Sequence, residues 1–246
     1  GETSAVFPVT VNGDDVVESD EEFIVTIVST TNGSIDSLAS TAKGTITNDD
    51  ATVVSIDDVV VVEGDAGIVN ADFTVSLTNP ADTATTVTFT VTDDSADNAG
   101  NSVDGGNDYD VPTTLTVTIP AGETEGTVTV VVNGDETVEA DEDFLVTLTA
   151  TDNGTITTTV GENIGTGTIT NDDDTVVSVG PVTVIEGNDG TTVVANFPVT
   201  LSAAADTDTV VTFTVTDGSG TIGDADYVAP TELTVTIPAG ETSAVF

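Results

Sequence analysis

Acidic residues follow several of the chain's apolar segments, at spacings that could bind metal ions. The run NGDETVEADEDF occupies residues 133–144, and its counterpart NGDDVVESDEEF occupies residues 12–23. Carboxylates this close together repel one another, and the repulsion favours their neutral forms unless a cation lies between them. The pattern therefore predicts cation sites where these apolar segments end.

Further acidic positions recur at fixed places. Glu63 follows the run VVVV and returns as Glu186, while Asp108 precedes a tyrosine as Asp226 does. The tripeptide Asn-Asp-Asp lies at residues 48–50 and again at 171–173, where one more aspartate extends it. One repeat thus offers more carboxylates than a single ion can coordinate, so we expect a cluster of ions. The candidate ligands in that repeat are Glu63, Asp108, Asp135, Glu136, Glu139, Asp141, Asp172, Asp173 and Asp174.

The neighbouring repeats carry corresponding candidates. Six of these acids lie within residues 1–50 and belong to an earlier repeat, and two lie within residues 175–246 and belong to a later one. The additional candidates are Asp14, Asp15, Glu18, Asp20, Asp49 and Asp50 in the earlier repeat, and Glu186 and Asp226 in the later. An acidic run in a loop is also commonly plain solvated surface, and that reading stays open for residues 133–144.

The available ligand atoms indicate which ion to expect. The sequence contains no Cys and no His, so metal ligands must be oxygen atoms. Zinc prefers nitrogen and sulfur, and magnesium demands tight octahedral geometry and keeps its waters. Calcium accepts about 6 to 8 oxygens in flexible geometry. Calcium is therefore the predicted cofactor, with more than one ion in each repeat.

The charge of the chain excludes several classes of partner. The 246 residues include 44 acidic side chains and a single basic one, Lys43, which gives a formal net charge of -43. Binding to a nucleic-acid backbone or an anionic membrane surface requires clusters of Lys and Arg. We therefore expect no nucleic-acid partner. No apolar run is long enough to span a membrane, so no membrane insertion is expected here.

Internal repeats organise the chain. Glu63 and Glu186 lie 123 residues apart, and the run LTVTIPAGET occurs at residues 115–124 and again, unchanged, at 233–242. We expect residues 51–174 to form one complete module, residues 1–50 the C-terminal part of another, and residues 175–246 the N-terminal part of a third. Head-to-tail neighbours, either identical repeats or identical subunits, are therefore the expected partners.

A longer period also exists, because GETSAVF occupies both residues 1–7 and residues 240–246, an offset of 239. The sequence identity is thus higher between segments two modules apart than between segments of adjacent modules. This favours a covalent array whose repeating unit is a pair of modules. The alternative is strand exchange, in which a neighbouring subunit completes each partial module.

Alternating apolar residues predict the elements of the module. Valines and other apolar residues alternate with polar ones over residues 69–77, 87–91, 115–119, 128–132 and 144–148. This period of two is that of half-buried strands. With residues 53–62 and 164–170, the module has about seven strands. The predicted fold is all-β, a tandem series of immunoglobulin-like sandwiches.

The motifs together resemble the Calx-beta domain. They are V-x-E-G-D at residues 61–65, G-x-D-Y at 106–109, D-E-x-x-E-x-D-E-x-F at 135–144 and T-I-T-N-D-D at 168–173. The resemblance covers the chain and implies an immunoglobulin-like sandwich with calcium bound at one end. It implies Glu63, Asp108, Asp135, Glu136, Glu139 and residues 172–174 as ligands, with Asp14, Asp15, Glu18, Asp49, Asp50, Glu186 and Asp226 serving the flanking modules.

These features predict a calcium-binding structural repeat of an extracellular or cell-surface fibre, filament or adhesin stalk, in which calcium stiffens the module junctions. One alternative is a calcium-sensing regulatory domain, the role that this kind of module has in membrane exchangers. Another is an accessory module of a secreted polysaccharide-active enzyme. The chain itself is not expected to be an enzyme, because the paired carboxylates recur in every module beside metal-type acids.

Overall fold

The computed structural model describes residues 2–99, 106–188, 190–223 and 226–246, and its strands fall into three groups along the chain. The N-terminal part, residues 2–50, contains β1 (Glu21–Thr26) and β2 (Thr41–Ile46). These two strands pair antiparallel, with Phe23 opposite Gly44. No helix long and apolar enough to cross a membrane occurs in the described ranges.

The central sandwich, residues 51–174, consists of two five-stranded sheets. One has the strand order β4-β12-β10-β6-β8 and the other the order β11-β3-β5-β9-β7. The predicted all-β sandwich is confirmed. The strands are β3 (Val53–Ile56), β4 (Val59–Val62), β5 (Gly67–Leu77), β6 (Thr85–Asp93), β7 (Tyr109–Asp110), β8 (Thr116–Ile119), β9 (Glu125–Gly134), β10 (Glu142–Thr151), β11 (Thr155–Ile156) and β12 (Ile164–Thr170).

The first predicted strand, residues 53–62, is divided between the two sheets. β3 pairs with β5 in one sheet, and β4 pairs in parallel with β12 in the other. Two adjacent aspartates fix the crossing. Asp57 accepts a hydrogen bond from the backbone N–H of Thr74 (2.6 Å), and Asp58 accepts one from that of Thr166 (2.7 Å). Each carboxylate thus ties the chain to a different sheet, which a period-two pattern cannot show.

The core lies between the two sheets and is centred on three aromatic rings. The rings of Phe144 and Tyr109 stack with their centroids 4.6 Å apart, and Phe73 meets Phe144 edge-on at 5.8 Å. All three side chains are fully buried. A Cβ on Gly167, opposite Phe144 in β12, would collide with the Phe144 ring. Glycine is therefore required there so that the ring can lie flat against the strand.

The C-terminal part, residues 175–246, forms a smaller pair of sheets around Val199, Leu201 and Ile237. One sheet has the order β13-β14-β17 and the other contains β15 and β16. The strands are β13 (Val177–Val179), β14 (Pro198–Leu201), β15 (Thr209–Thr212), β16 (Thr234–Ile237) and β17 (Ser243–Val245).

The flanking parts contact opposite ends of the central sandwich. β5 and β9 run antiparallel with Gly67 opposite Gly134, so the loop after β5 and the loop after β9 lie at opposite ends. Val17 of the N-terminal part forms a parallel bridge with Ala81 in the first loop. Val138 in the second loop forms the same kind of bridge with Ala205 of the C-terminal part. The three parts therefore follow one another head to tail.

Candidate metal centre

Three carboxylates converge at the end of the central sandwich that faces the C-terminal part. Glu63 follows β4, while Asp172 and Asp173 follow β12, the parallel neighbour of β4. One oxygen from each of the three lies within 4.8 Å of the others. Since strands that pair in parallel end side by side, these distant parts of the sequence reach the same point.

Among the described residues, three buried carboxylate oxygens at this end lack a hydrogen-bond partner. They belong to Glu63, Glu139 and Asp173. A buried oxygen that accepts no hydrogen bond costs about 1–3 kcal/mol, and more if it is charged. Three such atoms in one place indicate a site built around a cation that would coordinate them.

The end of β9 brings the acidic run of residues 133–144 against Glu63. A Cβ placed on Gly134 would overlap the backbone carbonyl oxygens of Glu63 and Gly64. Only glycine permits this approach, which places Asp135 directly beside the Glu63 segment. The N–H of Gly64 in turn donates a hydrogen bond to Asp172 Oδ1 (2.9 Å), which holds that carboxylate in place.

Asn171 joins the two acidic segments that the sequence separates. Its Oδ1 accepts a hydrogen bond from the backbone N–H of Glu139 (3.3 Å), and its Nδ2 donates to the carbonyl oxygen of Asp173 (3.1 Å). Its own backbone N–H donates to Asp141 Oδ1 (3.2 Å). Asp141 therefore orients Asn171. This hydrogen bond is the contact that connects Asp141 with the acidic cluster.

Burial and mutual repulsion shift the acids of the cluster toward their neutral forms. Burial, with Asp135 as the strongest charged neighbour, raises the pKa of Glu63 to about 7 and that of Glu139 to about 9. Burial also raises the pKa of Asp173, with a further contribution from Asp65. Since neighbouring carboxylates supply all the charged contributions, a cation at the centre would reverse the sign of the local field.

The other predicted ligands lie around this centre in different settings. Asp108 is buried and accepts a hydrogen bond from the backbone N–H of Asp97 (2.6 Å), and its charge raises the pKa values of both Glu63 and Glu139. Asp135 is half-buried and accepts a hydrogen bond from the Thr137 N–H (2.6 Å). Glu136 is exposed and contributes to the raised pKa of Asp173. Asp174 is also exposed.

The N-terminal part repeats half of this arrangement. Asn48 contacts the backbone of Glu18 and of Asp50, and its N–H donates to Asp20, as Asn171 does with Glu139, Asp173 and Asp141. Burial and then Asp14 raise the pKa of Glu18; burial and then Asp49, Asp15 and Asp14 raise that of Asp50. A cavity of about 60 Å³ lies between the two acidic segments, lined by Asp14, Glu18, Asp49 and Asp50.

The C-terminal part holds the counterparts of the remaining ligands. Glu186 and Asp226 are both exposed, and Asp226 accepts a hydrogen bond from the backbone N–H of Thr221 (2.9 Å). Within the described ranges, the group of three or more converging carboxylates occurs in the central sandwich alone. The reason is topological, because each flanking part carries only some of the strands that meet at this end.

Two residues of the site were not among the predicted ligands. Asp65 adds charge beside Asp173, and Asn171 connects Glu139 with Asp173. The recurrence of Asn before both Asp pairs, at Asn48 and Asn171, was the available signal. It indicated no role by itself, because an asparagine just after the end of a strand is also an ordinary turn residue.

The site fits a hard, oxygen-preferring cation. Its donors are carboxylate oxygens, and three of them are buried without another partner. Calcium takes about 6 to 8 such oxygens in irregular geometry and tolerates a site assembled from two loops and two strand ends.

Comparison with solved structures found partial alignments at low sequence identity. The crystal structure of the apo form of the Calx CBD1 domain aligns with a TM-score of 0.40 and 20% identity, covering 50% of this chain and all of that domain. CBD12 from CALX1.2 aligns with a TM-score of 0.40 and 16% identity, covering 79% of this chain and 74% of that one. The calcium binding domain CBD12 of CALX1.1 gives 0.40 and 18%, covering 78% and 73%.

Comparison with curated protein sequences found no match. Comparison with protein families identified one family. The Calx-beta domain matches three successive stretches, residues 1–58, 47–175 and 170–245, which together cover nearly the whole chain. The motifs that carry the resemblance lie where strands end, around one metal-type centre in the central sandwich. The chain therefore belongs to the Calx-beta domain family.

Proposed function

We propose that this chain is a calcium-binding structural repeat of an extracellular fibre or adhesin stalk, and that calcium stiffens the junctions between its modules. Three buried carboxylate oxygens without partners, on Glu63, Glu139 and Asp173, support the calcium part most directly. Abundant free calcium outside cells and the extreme acidity of the chain support the extracellular location.

The coupling of calcium to stiffness follows from where the cluster lies. The backbone N–H of Val138 donates to the carbonyl of Ala204 (2.9 Å), and its carbonyl accepts from the N–H of Asp206 (3.1 Å). Val138 directly precedes Glu139, one of the acids with an orphaned oxygen. A cation held by Glu139 would therefore order the same segment that pairs with the next module.

The preceding junction is built in the same way. Val17 donates to the carbonyl of Pro80 (2.9 Å) and accepts from the N–H of Asp82 (3.0 Å), and it directly precedes Glu18. Asp82 also belongs to the charges that raise the pKa of Glu18, so an acid of one module lies near the cluster of the other. A bound cation would remove this repulsion across the junction.

Repetition favours a structural role over a sensor. A sensor needs one or two tuned sites linked to an effector, whereas the same junction recurs here with nearly the same sequence. The same recurrence favours metal binding over catalysis. The carboxylates that could form a catalytic pair are the same ones that form the candidate metal site, and they recur from module to module.

Calcium titration of single variants tests the site. We expect calcium to bind the wild-type chain, measured by isothermal titration calorimetry, and to raise its Tm. Glu63→Gln and Glu139→Gln should each reduce the affinity at least about tenfold, since each removes a charged ligand. Glu125→Gln is the matched control, because Glu125 is exposed and begins β9 at the opposite end of the sandwich. Equal affinity in all four proteins would refute the assignment.

Distance measurements across a junction test the stiffening. The sequence lacks cysteine, so spin labels can be attached uniquely to Thr118→Cys and Thr236→Cys, two exposed equivalent positions in β8 and β16. Calcium should narrow the distance distribution measured by pulsed electron resonance, and a chelator should broaden it. A distribution that is unchanged by calcium would remove the stiffening role while leaving the binding site intact.

A further inference from the structure

Each of the two junctions brings an aspartate of one module beside the acidic run of the module before it. We propose that Asp206, in the loop between β14 and β15, is a ligand of the cation site of the central sandwich, so that two modules share the bound ion. Asp82, in the loop between β5 and β6, occupies the equivalent place at the preceding junction. This inference rests on the proposed calcium site and adds to it a ligand from the next module.

The bridge between the two modules places Asp206 next to Glu139. Val138 and Ala205 pair in parallel, and the N–H of Asp206 donates to the Val138 carbonyl (3.1 Å). Glu139 and Asp206 each directly follow one member of this pair. Backbones that pair in this way lie about 5 Å apart. Two oxygens bound to one calcium ion are also up to about 5 Å apart, because each lies about 2.3–2.6 Å from the ion. One ion can therefore bind both carboxylates.

The loop that carries Asp206 is fixed both by its own module and by the linker. Within its module, the N–H of Gly240 donates to the Ala205 carbonyl (2.8 Å). Thr175, in the linker, donates its hydroxyl to the Ala203 carbonyl (2.9 Å) and accepts from the Ala203 N–H (3.2 Å). The backbone of Asp206 is thus already placed, and only its side chain has to be ordered when an ion binds. Such pre-organisation lowers the free-energy cost of binding.

The preceding junction repeats this geometry. Val17 and Ala81 form the same kind of parallel bridge, and Glu18 and Asp82 directly follow it. Burial raises the pKa of Glu18, and the charge of Asp82 is among the contributions that add to this effect. The two carboxylates are therefore close enough to repel each other. The same pairing of Glu with Asp at both junctions is what a shared ligand requires.

The central site accounts for the need for a further ligand. Glu63 is only 3% exposed, its buried Oε1 lacks a hydrogen-bond partner, and one of its oxygens lies within 4.8 Å of oxygens of Asp172 and Asp173. The largest charged contributions to the raised pKa of Glu139 come from its own module. The carboxylate of Asp206, which is half-buried, must therefore rotate toward Glu139 to share an ion with it. Its backbone need not move.

A shared ion makes calcium affinity and junction geometry depend on each other. Any motion that separates the two modules withdraws Asp206 from the site and lowers the affinity for calcium. By thermodynamic linkage, calcium disfavours the separated arrangement by the same factor. Stiffening then arises from a ligand bond across the junction and not merely from relief of repulsion.

Calorimetric calcium titration of the full chain tests the ligand. All proteins carry Glu18→Gln, which weakens the cluster of the N-terminal part, so that the titration reports the central site. Asp206→Asn should lower the affinity at least about tenfold, since it removes a charged ligand. Asp208→Asn is the matched control, because it removes the same charge from the same loop and Asp208 accepts a hydrogen bond from the Ala239 N–H (3.0 Å) inside its own module. Its affinity should stay within about twofold at about 0.5 M NaCl, where distant charges are screened.

The spin-label pair at Thr118→Cys and Thr236→Cys supplies a second measurement on the same variants. At saturating calcium, the distance distribution of Asp206→Asn should stay broad, whereas that of Asp208→Asn should narrow as in the parent chain. Circular dichroism verifies that both variants are folded. A retained tenfold loss of affinity in Asp206→Asn with unchanged Asp208→Asn supports the shared ligand.

Two results would overturn the inference, and they differ in what else they remove. Equal affinities and equal narrowing in Asp206→Asn and Asp208→Asn would overturn the shared ligand while leaving the central calcium site in place. Absence of calcium binding to the parent chain, with Glu63→Gln indistinguishable from it, would overturn the proposed function and the shared ligand together.

Discussion

Asn171 is the residue that connects the two acidic segments of the central site. It contacts the backbone of Glu139 on one side and that of Asp173 on the other, and it offers its own N–H to Asp141. Both of its amide atoms are engaged by backbone groups, so it acts by positioning the acids. Such groups around a metal site orient the ligands and tune the affinity.

We predict that Asn171→Ala lowers calcium affinity by about 10–100-fold, the usual effect of losing a group that orients ligands. The measurement is calorimetric titration, with circular dichroism to verify that the sandwich is folded. Asn70→Ala is the control, because Asn70 is exposed in β5 and is not one of the residues of the acidic cluster. An unchanged affinity of Asn171→Ala would show that Glu139 and Asp173 hold their positions without it.

The raised pKa values of Glu63, to about 7, and Glu139, to about 9, predict a definite pH dependence. In the calcium-free protein, the folded state keeps protons that the unfolded chain releases near pH 4.5, so the free energy of unfolding falls as pH rises from about 5 to about 9. Calcium competes with those protons. The increase in Tm on adding calcium should therefore be larger at pH 8 than at pH 5.5, measured by scanning calorimetry. A larger increase at pH 5.5 would contradict this account.

At the scale of elements, the close approach of β9 to the end of β4 forms the site. A Cβ on Gly134 would overlap the carbonyl oxygens of Glu63 and Gly64, whereas its counterpart Gly13 has open space around the same position. The difference arises because no counterpart of the Glu63–Gly64 segment lies beside Gly13 in the described part of the chain. The two glycines therefore form a matched pair for testing this packing.

Gly134→Ala should lower the free energy of unfolding by about 1–3 kcal/mol through overpacking, and it should also weaken calcium binding by moving Asp135 away from Glu63. Gly13→Ala should change neither quantity by a comparable amount when measured on dilute, monomeric protein. Chemical denaturation followed by circular dichroism gives the stability, and titration gives the affinity. Equal effects of the two substitutions would contradict the assignment of strain to the β4–β9 contact.

At the scale of the whole molecule, charge dominates. The formal net charge of -43 faces a single cation, Lys43, which forms an ion pair with Glu22 (2.6 Å) on an exposed surface. An exposed pair of this kind contributes little to stability. Self-repulsion must therefore be relieved by cations from solution, either bound at the clusters or screening the surface.

We predict that raising NaCl from about 0.05 M to about 1 M increases the Tm of the calcium-free chain, because the screening length shortens from more than 10 Å to about 3 Å. The increase should be smaller once calcium is bound, since bound ions already neutralise the most crowded acids. Scanning calorimetry in chelator and in calcium measures both. A calcium-free Tm that does not depend on salt would mean that repulsion has little effect on this fold.

The sequence by itself indicated the repeats, the acidic segments and most of the central strands. It predicted about seven strands, whereas the described residues of the central module form ten, because residues 53–62 divide into β3 and β4 and because β7 and β11 are too short to show a period. Alternation of apolar residues locates strands because side chains in a strand point to opposite faces, and that period is local. The acidic segments could be located because equivalent residues recur along the chain, as Glu63 does at Glu186 and the Asn-Asp-Asp motif does at residues 48–50 and 171–173. Locating them required no knowledge of contacts in the folded protein. These are properties of short segments, so they could be predicted directly.

The tertiary structure alone decided which acids meet. Glu63 reaches Asp172 and Asp173 because β4 pairs with β12, which requires the chain to cross between sheets at Asp57 and Asp58. The role of Asn171 likewise depends on contacts between segments 32 residues apart. The periodicity of a strand identifies its buried face but not its neighbour, and the site depends on the neighbours.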